Sequence, residues 1–195
     1  MDNNKFYGML KNIMVKYSIT LDENDIKKLF GISHFRVVPM SEMLIGIDEP
    51  LEYTGLVLDG ITRSYYLDAD GNDVTKGFGF DGGLCMDEGL FGYEKSICAC
   101  EAIEDTTVML MKTKMLKGLC MESNELKNVY IYQIEQALRY KIYRENGFLT
   151  GNATERYLAF REKYPMLCDR VKQSYIATYL GIAPESLSRI RKAIR

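Results

Sequence analysis

The stretch Tyr175–Arg195, YIATYLGIAPESLSRIRKAIR, holds two short helical patterns separated by a glycine. The first pattern, KQSYIATYL over 172–180, ends at Gly181, the residue type that enters the left-handed turn of a helix exit at low cost. Ile182 is placed to plug the angle between the helices. Pro184 sits at the favoured first position of the second helix, and Glu185 suits the positive end of its dipole. SLSRIRKAIR then buries Leu187, Ile190 and Ile194 at three-four spacing. Pro184, Glu185, Ser188, Arg189, Arg191, Lys192 and Arg195 are left facing outward. Ala177, Gly181 and Leu187 permit a close crossing. This is the plan of a helix-turn-helix, whose exposed polar helix fits a DNA major groove. Arginine can bond two acceptors on guanine and glutamate can accept from cytosine. Gln173, Ser174 and Ser186 lie where phosphate contacts would fix the register.

Charge agrees with that reading. Residues 151–195 contain nine basic and four acidic side chains, a net of +5, which leaves −7 for residues 1–150 of a chain whose total is −2. A basic end on an acidic body suits a polyanion at one end only. A surface helical hairpin with a solvated basic face is the plainer alternative.

Upstream, ATERYLAFREKYP over 153–165 reads as a further helix, with Asn152 as its N-cap and Pro165 just beyond its end. ENGFLTGN, residues 145–152, has two glycines and two asparagines and predicts a break. Before it, Leu126, Val129, Tyr130, Gln133, Ile134, Ala137, Leu138 and Lys141 keep a three-four rhythm for over five turns. That seam would be buried on a sheet or, the reading favoured here, on a second copy of the same helix.

From His34 to Met111 the texture is different. HFRVV, TGLVLDG, ITRSYYL, DVTKGFGF, KSICACEAI and TTVMLM are short runs rich in β-branched and aromatic residues, punctuated by Asp48-Glu49-Pro50, Asp59-Gly60, Asp70-Gly71-Asn72 and Asp81-Gly82-Gly83. They predict an antiparallel sandwich or barrel, with Asp70-Gly71 as a hairpin turn. Two short helices, over 3–17 and 22–30, precede it. The fold class is therefore α+β, in three parts: residues 1–116, an antiparallel sandwich or barrel with N-terminal helices; 117–146, a dimerisation helix; and 147–195, a helix-turn-helix domain.

Other chemistry finds little support. The single histidine, His34, cannot build a metal centre of the cupin kind. No nucleophile elbow, phosphate loop or paired catalytic constellation is present, so an enzyme is not expected. No cofactor or metal is assigned. The five cysteines form no disulfide framework. Cys98-Ala99-Cys100 share a strand face and read as buried thiols, with a metal or redox pair as the alternative. No apolar run spans a bilayer and the N-terminus lacks a secretory layout, so a cytoplasmic protein is expected.

With these residues in view, the chain resembles the CRP/FNR family of bacterial transcription regulators over nearly its full length. GIDEPLEYTGLVLDGITRSYYLDADGNDVTKGFGFDGG is similar to that family's cyclic-nucleotide-binding-like β-roll. TERYLAFREKYP followed by IATYLGIAPESLSRIRK is similar to its DNA-binding domain. The resemblance implies a homodimer on a palindromic operator in double-stranded DNA, with recognition helices about 34 Å apart, and RNA polymerase as a candidate further partner. It places Glu185 and Arg189 on base-reading positions, and Pro184 where some members carry another base-reading Arg.

Two departures accompany the resemblance. The family's phosphate-binding cassette pairs Gly-Glu-Leu with Arg-Ser or Arg-Thr; the matched places here read Gly82-Gly83-Leu84 and Lys95-Ser96. Without that Glu, and with Lys for the two-pronged Arg, the expected effector is an unknown small molecule other than cyclic AMP. Lys95 and Ser96 read equally as ordinary roll-surface residues. Family members also continue into a β-hairpin wing, whereas this sequence stops at Arg195. The expectation is a domain lacking a full wing, whose phosphate contacts come from Gln173, Ser174, Ser186 and the terminal basic residues. The rival reading is a dimeric small-molecule sensor that acts through protein contacts, its DNA reader degenerate.

Overall fold

The computed structural model describes residues 3–194. Helices α1 (Asn3–Lys16) and α2 (Glu23–Gly31) come first, and the Asp22 side chain caps α2 by accepting from the Asp25 amide. Eight strands follow: β1 (Ser33–Val38), β2 (Met43–Ile45), β3 (Tyr53–Asp59), β4 (Ile61–Leu67), β5 (Asp73–Phe80), β6 (Leu84–Cys85), β7 (Ala99–Ala102) and β8 (Thr106–Lys112). They form two four-stranded sheets, in the orders β1-β8-β3-β6 and β2-β7-β4-β5. Every pairing with a described register is antiparallel. The two-sheet antiparallel sandwich allowed by the turn spacing is therefore present, in the β-roll form that the resemblance implies.

Contacts group the chain into two units. One runs up to Tyr65 and resumes over Gly77–Tyr132; the other joins Tyr66–Lys76 to the chain from Gln133 onward. In the first unit, Val38, Val57, Cys100, Ala102 and Val108 fill the space between the sheets. A second cluster packs α1 and α2 on the outside through Phe6, Leu10, Ile13 and Leu29 against Met109 and Met111. The β4–β5 turn forms as expected. Gly71 takes φ +82°, and the Asp68 carboxylate accepts from the amides of Asp70 and Asn72. Those bonds hold the Asp68 carboxyl below its ordinary pKa.

The helices after the sheet are α3 (Thr113–Glu122), α4 (Asn124–Thr150), α5 (Ala153–Lys163), α6 (Pro165–Arg170), α7 (Gln173–Tyr179) and α8 (Pro184–Ala193). Ser123 separates α3 from α4 in extended backbone and caps α4, its hydroxyl accepting from the Leu126 amide and donating to Asp25 Oδ2 at 2.6 Å. The break expected at 145–152 is a correction: α4 continues through Gly147 to Thr150, 27 residues in all. A glycine costs a helix only about 1 kcal/mol, too little to end it here, and the break falls later in the same stretch, at 151–152. The expected Asn152 cap is present as a full capping box with Glu155. Pro165 stands just beyond the end of α5, as expected, and also opens α6 at its first helical position. No helix among the described residues is long and apolar enough to cross a membrane.

Candidate nucleic-acid interface

α7 and α8 meet around a small apolar centre. Ile176, Ala177 and Leu187 are fully buried, and Leu180, Leu167, Phe160 and Tyr157 are nearly so. Between the helices Gly181 takes φ +65°, and a Cβ there would meet the Phe148 ring at 2.8 Å. Glycine is thus required both by conformation and by space. The Gly181 and Ile182 amides donate to Thr178 O and Ala177 O, which satisfies the exit of α7.

Ser174, Pro184, Glu185, Ser188, Arg189 and Lys192 are exposed. Arg189 lies along α8, its Nε donating to Glu185 O at 3.4 Å, and its guanidinium is at the surface. Ser186 is half-buried. Gln173 is half-buried too, and its amide nitrogen donates to Cys168 O at 3.5 Å, so it is turned partly inward rather than offered to a phosphate. Arg191, expected outward, is half-buried. Arg195 lies outside the described residues. The exposed face of α8 thus joins one carboxylate, a serine, an arginine and a lysine, the donor and acceptor types that read base edges.

The end of α7 rests on an arginine that the sequence reading did not single out. Arg144, on α4, donates to the backbone oxygens of Lys76 (2.6 Å), Thr75 (3.3 Å) and Tyr179 (3.0 Å). Its guanidinium lies 4.6 Å from the Tyr179 ring centre and 5.3 Å from that of Phe148. Thr75 and Thr178 hydroxyls are 2.8 Å apart, and the Tyr140 hydroxyl donates to Tyr179 Oη at 3.1 Å. Burial and the neighbouring tyrosines push the Tyr179 phenol far up, so it stays neutral. These bonds pin the β4–β5 tip to α7 within the second unit. No local sequence signal marks Arg144, because its partners are backbone carbonyls 35 and 68 residues away.

The apolar seam of α4 needs correction. Leu126 is buried, and Val129, Tyr130, Gln133, Ile134 and Ala137 are half-buried, covered by this chain; Leu138 and Lys141 are exposed. A different stripe is left open: Ile131, Leu138, Ile142 and Leu149, all exposed, repeat at steps of seven and four on one helix face. Glu135 and Glu145 lie on the same stripe.

The five residues expected at an effector site fall among separate neighbours. Gly82, at φ +85°, sits under α1, where a Cβ would meet Ile13 at 2.6 Å. Gly83 and Leu84 are half-buried, and Gly83 O accepts from the Val57 amide. Lys95 is exposed and bridges Pro50. Ser96 is buried, its hydroxyl donating to Cys98 O at 2.5 Å. Its own surroundings include Glu88, which accepts from Cys98 Sγ at 2.9 Å on a 3-10 turn over Asp87–Phe91. Glu88 was missed because its partner is a thiol ten residues on and no motif spans the two. Cys85 and Cys100 hydrogen-bond each other, and this bond with full burial raises the Cys85 pKa well above the usual thiol range. His34 stacks edge-on against Tyr53 at 5.0 Å, on the wall of a cavity of about 320 Å³ in the first unit.

The chain thus contains a β-roll, a long helix and a C-terminal helix-turn-helix. Comparison with known proteins gives the same fold. No family model and no curated protein sequence matches the chain significantly. Among solved structures, FixK2 from Bradyrhizobium japonicum is similar at 24% identity, with a TM-score of 0.72 over 84% of each chain. The c-di-GMP responsive global regulator CLP from Xanthomonas campestris is similar at 16% identity and TM-score 0.67, over 89% of this chain and 91% of CLP. A Eubacterium rectale protein described as a CRP/FNR-family transcriptional regulator is similar at 17% identity and TM-score 0.68, over 89% of this chain and 83% of that one. The chain has the CRP/FNR fold.

Proposed function

We propose that the chain is a sequence-specific, DNA-binding transcription regulator that acts as a homodimer in the cytoplasm and has no enzymatic activity. One observation carries the proposal: α8 hides Leu187 completely while Glu185, Ser188, Arg189 and Lys192 stand exposed on its other face. A polar, basic helix held rigidly by one apolar stripe is the element that enters a major groove. The shared fold with transcription regulators supports the same reading. The chain before α4 then forms the sensing part, α4 the pairing helix and the chain from Ala153 the reader. Pairing uses the open stripe of Ile131, Leu138, Ile142 and Leu149, which would otherwise stay in water. Signalling is a shift between two placements of the readers, by no more than an effector's differential affinity for them.

Selection of bound duplexes from a random pool tests this reading. The expected product is an inverted repeat with half-site centres about one turn, roughly 34 Å, apart. Binding to it should weaken with salt at a log–log slope of about −4 to −7, for roughly 4–8 neutralised phosphates per dimer. A pool that stays random after repeated rounds, or a single unrepeated half-site, would count against the dimeric reader.

A further inference from the structure

The second unit contains a cavity of about 230 Å³ between the end of α4, α5 and the end of α7. Its walls are largely aromatic: Phe148, Phe160, Tyr164 and Tyr179 among them. A dry apolar cavity of about 150 Å³ holds benzene, while sites for drug-sized molecules begin near roughly 300 Å³. The space therefore suits one aromatic ring with one substituent.

The charges on its wall select the substituent. Arg144 and Arg156 both line the cavity, and both guanidinium groups lie over the Phe148 ring, at 5.3 and 5.1 Å. Arg156 is committed to Leu180 O through Nε and to Gly151 O through Nη1. Glu155, the one carboxylate on the wall, accepts from the Asn152 amide in the capping box. Arg144 binds backbone oxygens through Nη1 and Nη2, but its Nε is buried without a hydrogen-bond partner in the protein. A buried donor on a cation is costly to leave unmatched, and an anionic acceptor matches it best. Two cations face one committed carboxylate, so the wall favours a negative ligand.

We propose that this cavity binds a small aromatic carboxylate, its ring among the aromatic walls and its carboxylate beside the Arg144 and Arg156 guanidinium groups. The site is separate from the exposed face of α8 and does not depend on the DNA-binding reading. Benzoate is the simplest probe. Calorimetric or NMR titration of the full chain should show saturable binding at about 0.1–1 mM, with benzyl alcohol, the neutral analogue, at least about tenfold weaker. Ala159→Phe places a ring in the cavity from α5 and should abolish benzoate binding. Gly147→Leu is the second variant: a Cβ there meets nothing within 4 Å, so the helix accepts it while the side chain enters the same space. Saturable binding lost in a folded variant establishes the site. Absence of saturation up to about 10 mM, equal affinity for benzyl alcohol, or binding unchanged in folded Ala159→Phe or Gly147→Leu overturns it.

Discussion

Arg63→Met should lower the stability of the β-roll by about 3–5 kcal/mol, a large share of what holds a domain of this size folded. Arg63 on β4 stands directly across from Glu101 on β7, and its Nη1 donates to Glu101 Oε1 at 3.0 Å. Its side chain is 0% exposed and that of Glu101 15%. The guanidinium also lies 4.6 Å from the Tyr65 ring centre. Methionine keeps most of the volume but removes the cation, so a mostly buried carboxylate loses its counter-charge. The penalty is that of an uncompensated charge, more than of a lost attraction. The double variant Arg63→Met/Glu101→Leu should therefore recover most of the loss. Urea unfolding of the two singles and the double gives the coupling directly. If the double variant were as unstable as Arg63→Met, the deficit would lie in packing and the charge argument would fail.

Arg144→Leu should destabilise the second unit by about 2–4 kcal/mol, because three backbone carbonyls lose charge-assisted donors together. Two of them belong to the β4–β5 tip and one to the last residue of α7. Arg144→Lys should recover only part, since an ammonium cannot span carbonyls that the planar guanidinium reaches at once. Hydrogen exchange over residues 68–76 and 173–180 reads the effect locally. Faster exchange in both segments is expected in Arg144→Leu. Exchange unchanged in the hairpin tip would show that Thr75–Thr178 and the Tyr140 hydroxyl suffice to hold it.

The parts of this structure legible in the sequence are those set by local physics. Asp70-Gly71, Gly181, Asn152 and Pro184 each announce a turn, an exit, a cap or a start through one residue's conformational preference. Of Leu187, Ile190 and Ile194, the three picked out by period, Leu187 is fully buried and the other two are half-buried. Where distant packing decides, the same rules mislead. Gly147 reads as a helix breaker, yet α4 passes through it with Phe148 lying against Gly181 and two arginines. The α4 seam was legible as a period but not as a face: the chain's own packing covers Val129, Gln133 and Ile134 and leaves Ile142 and Leu149 open. Arg191 and Gln173 looked outward because a helical wheel does not show α6, whose Cys168 carbonyl takes the Gln173 amide. Arg63, Glu88 and Arg144 gave no signal at all. Each is defined by a partner that only the folded chain brings near.

The central claim is that α8 reads base edges, and Arg189 is its most direct probe. On a duplex carrying the selected inverted repeat, Arg189→Ala should bind about 1–3 kcal/mol more weakly, roughly five- to 150-fold, and lose discrimination at one base pair of each half-site. Melting of the variant should match that of the parent chain, since Arg189 is exposed and its one described bond is a 3.4 Å contact within its own helix. Equal affinity and an unchanged base preference in the folded variant would contradict groove reading by α8.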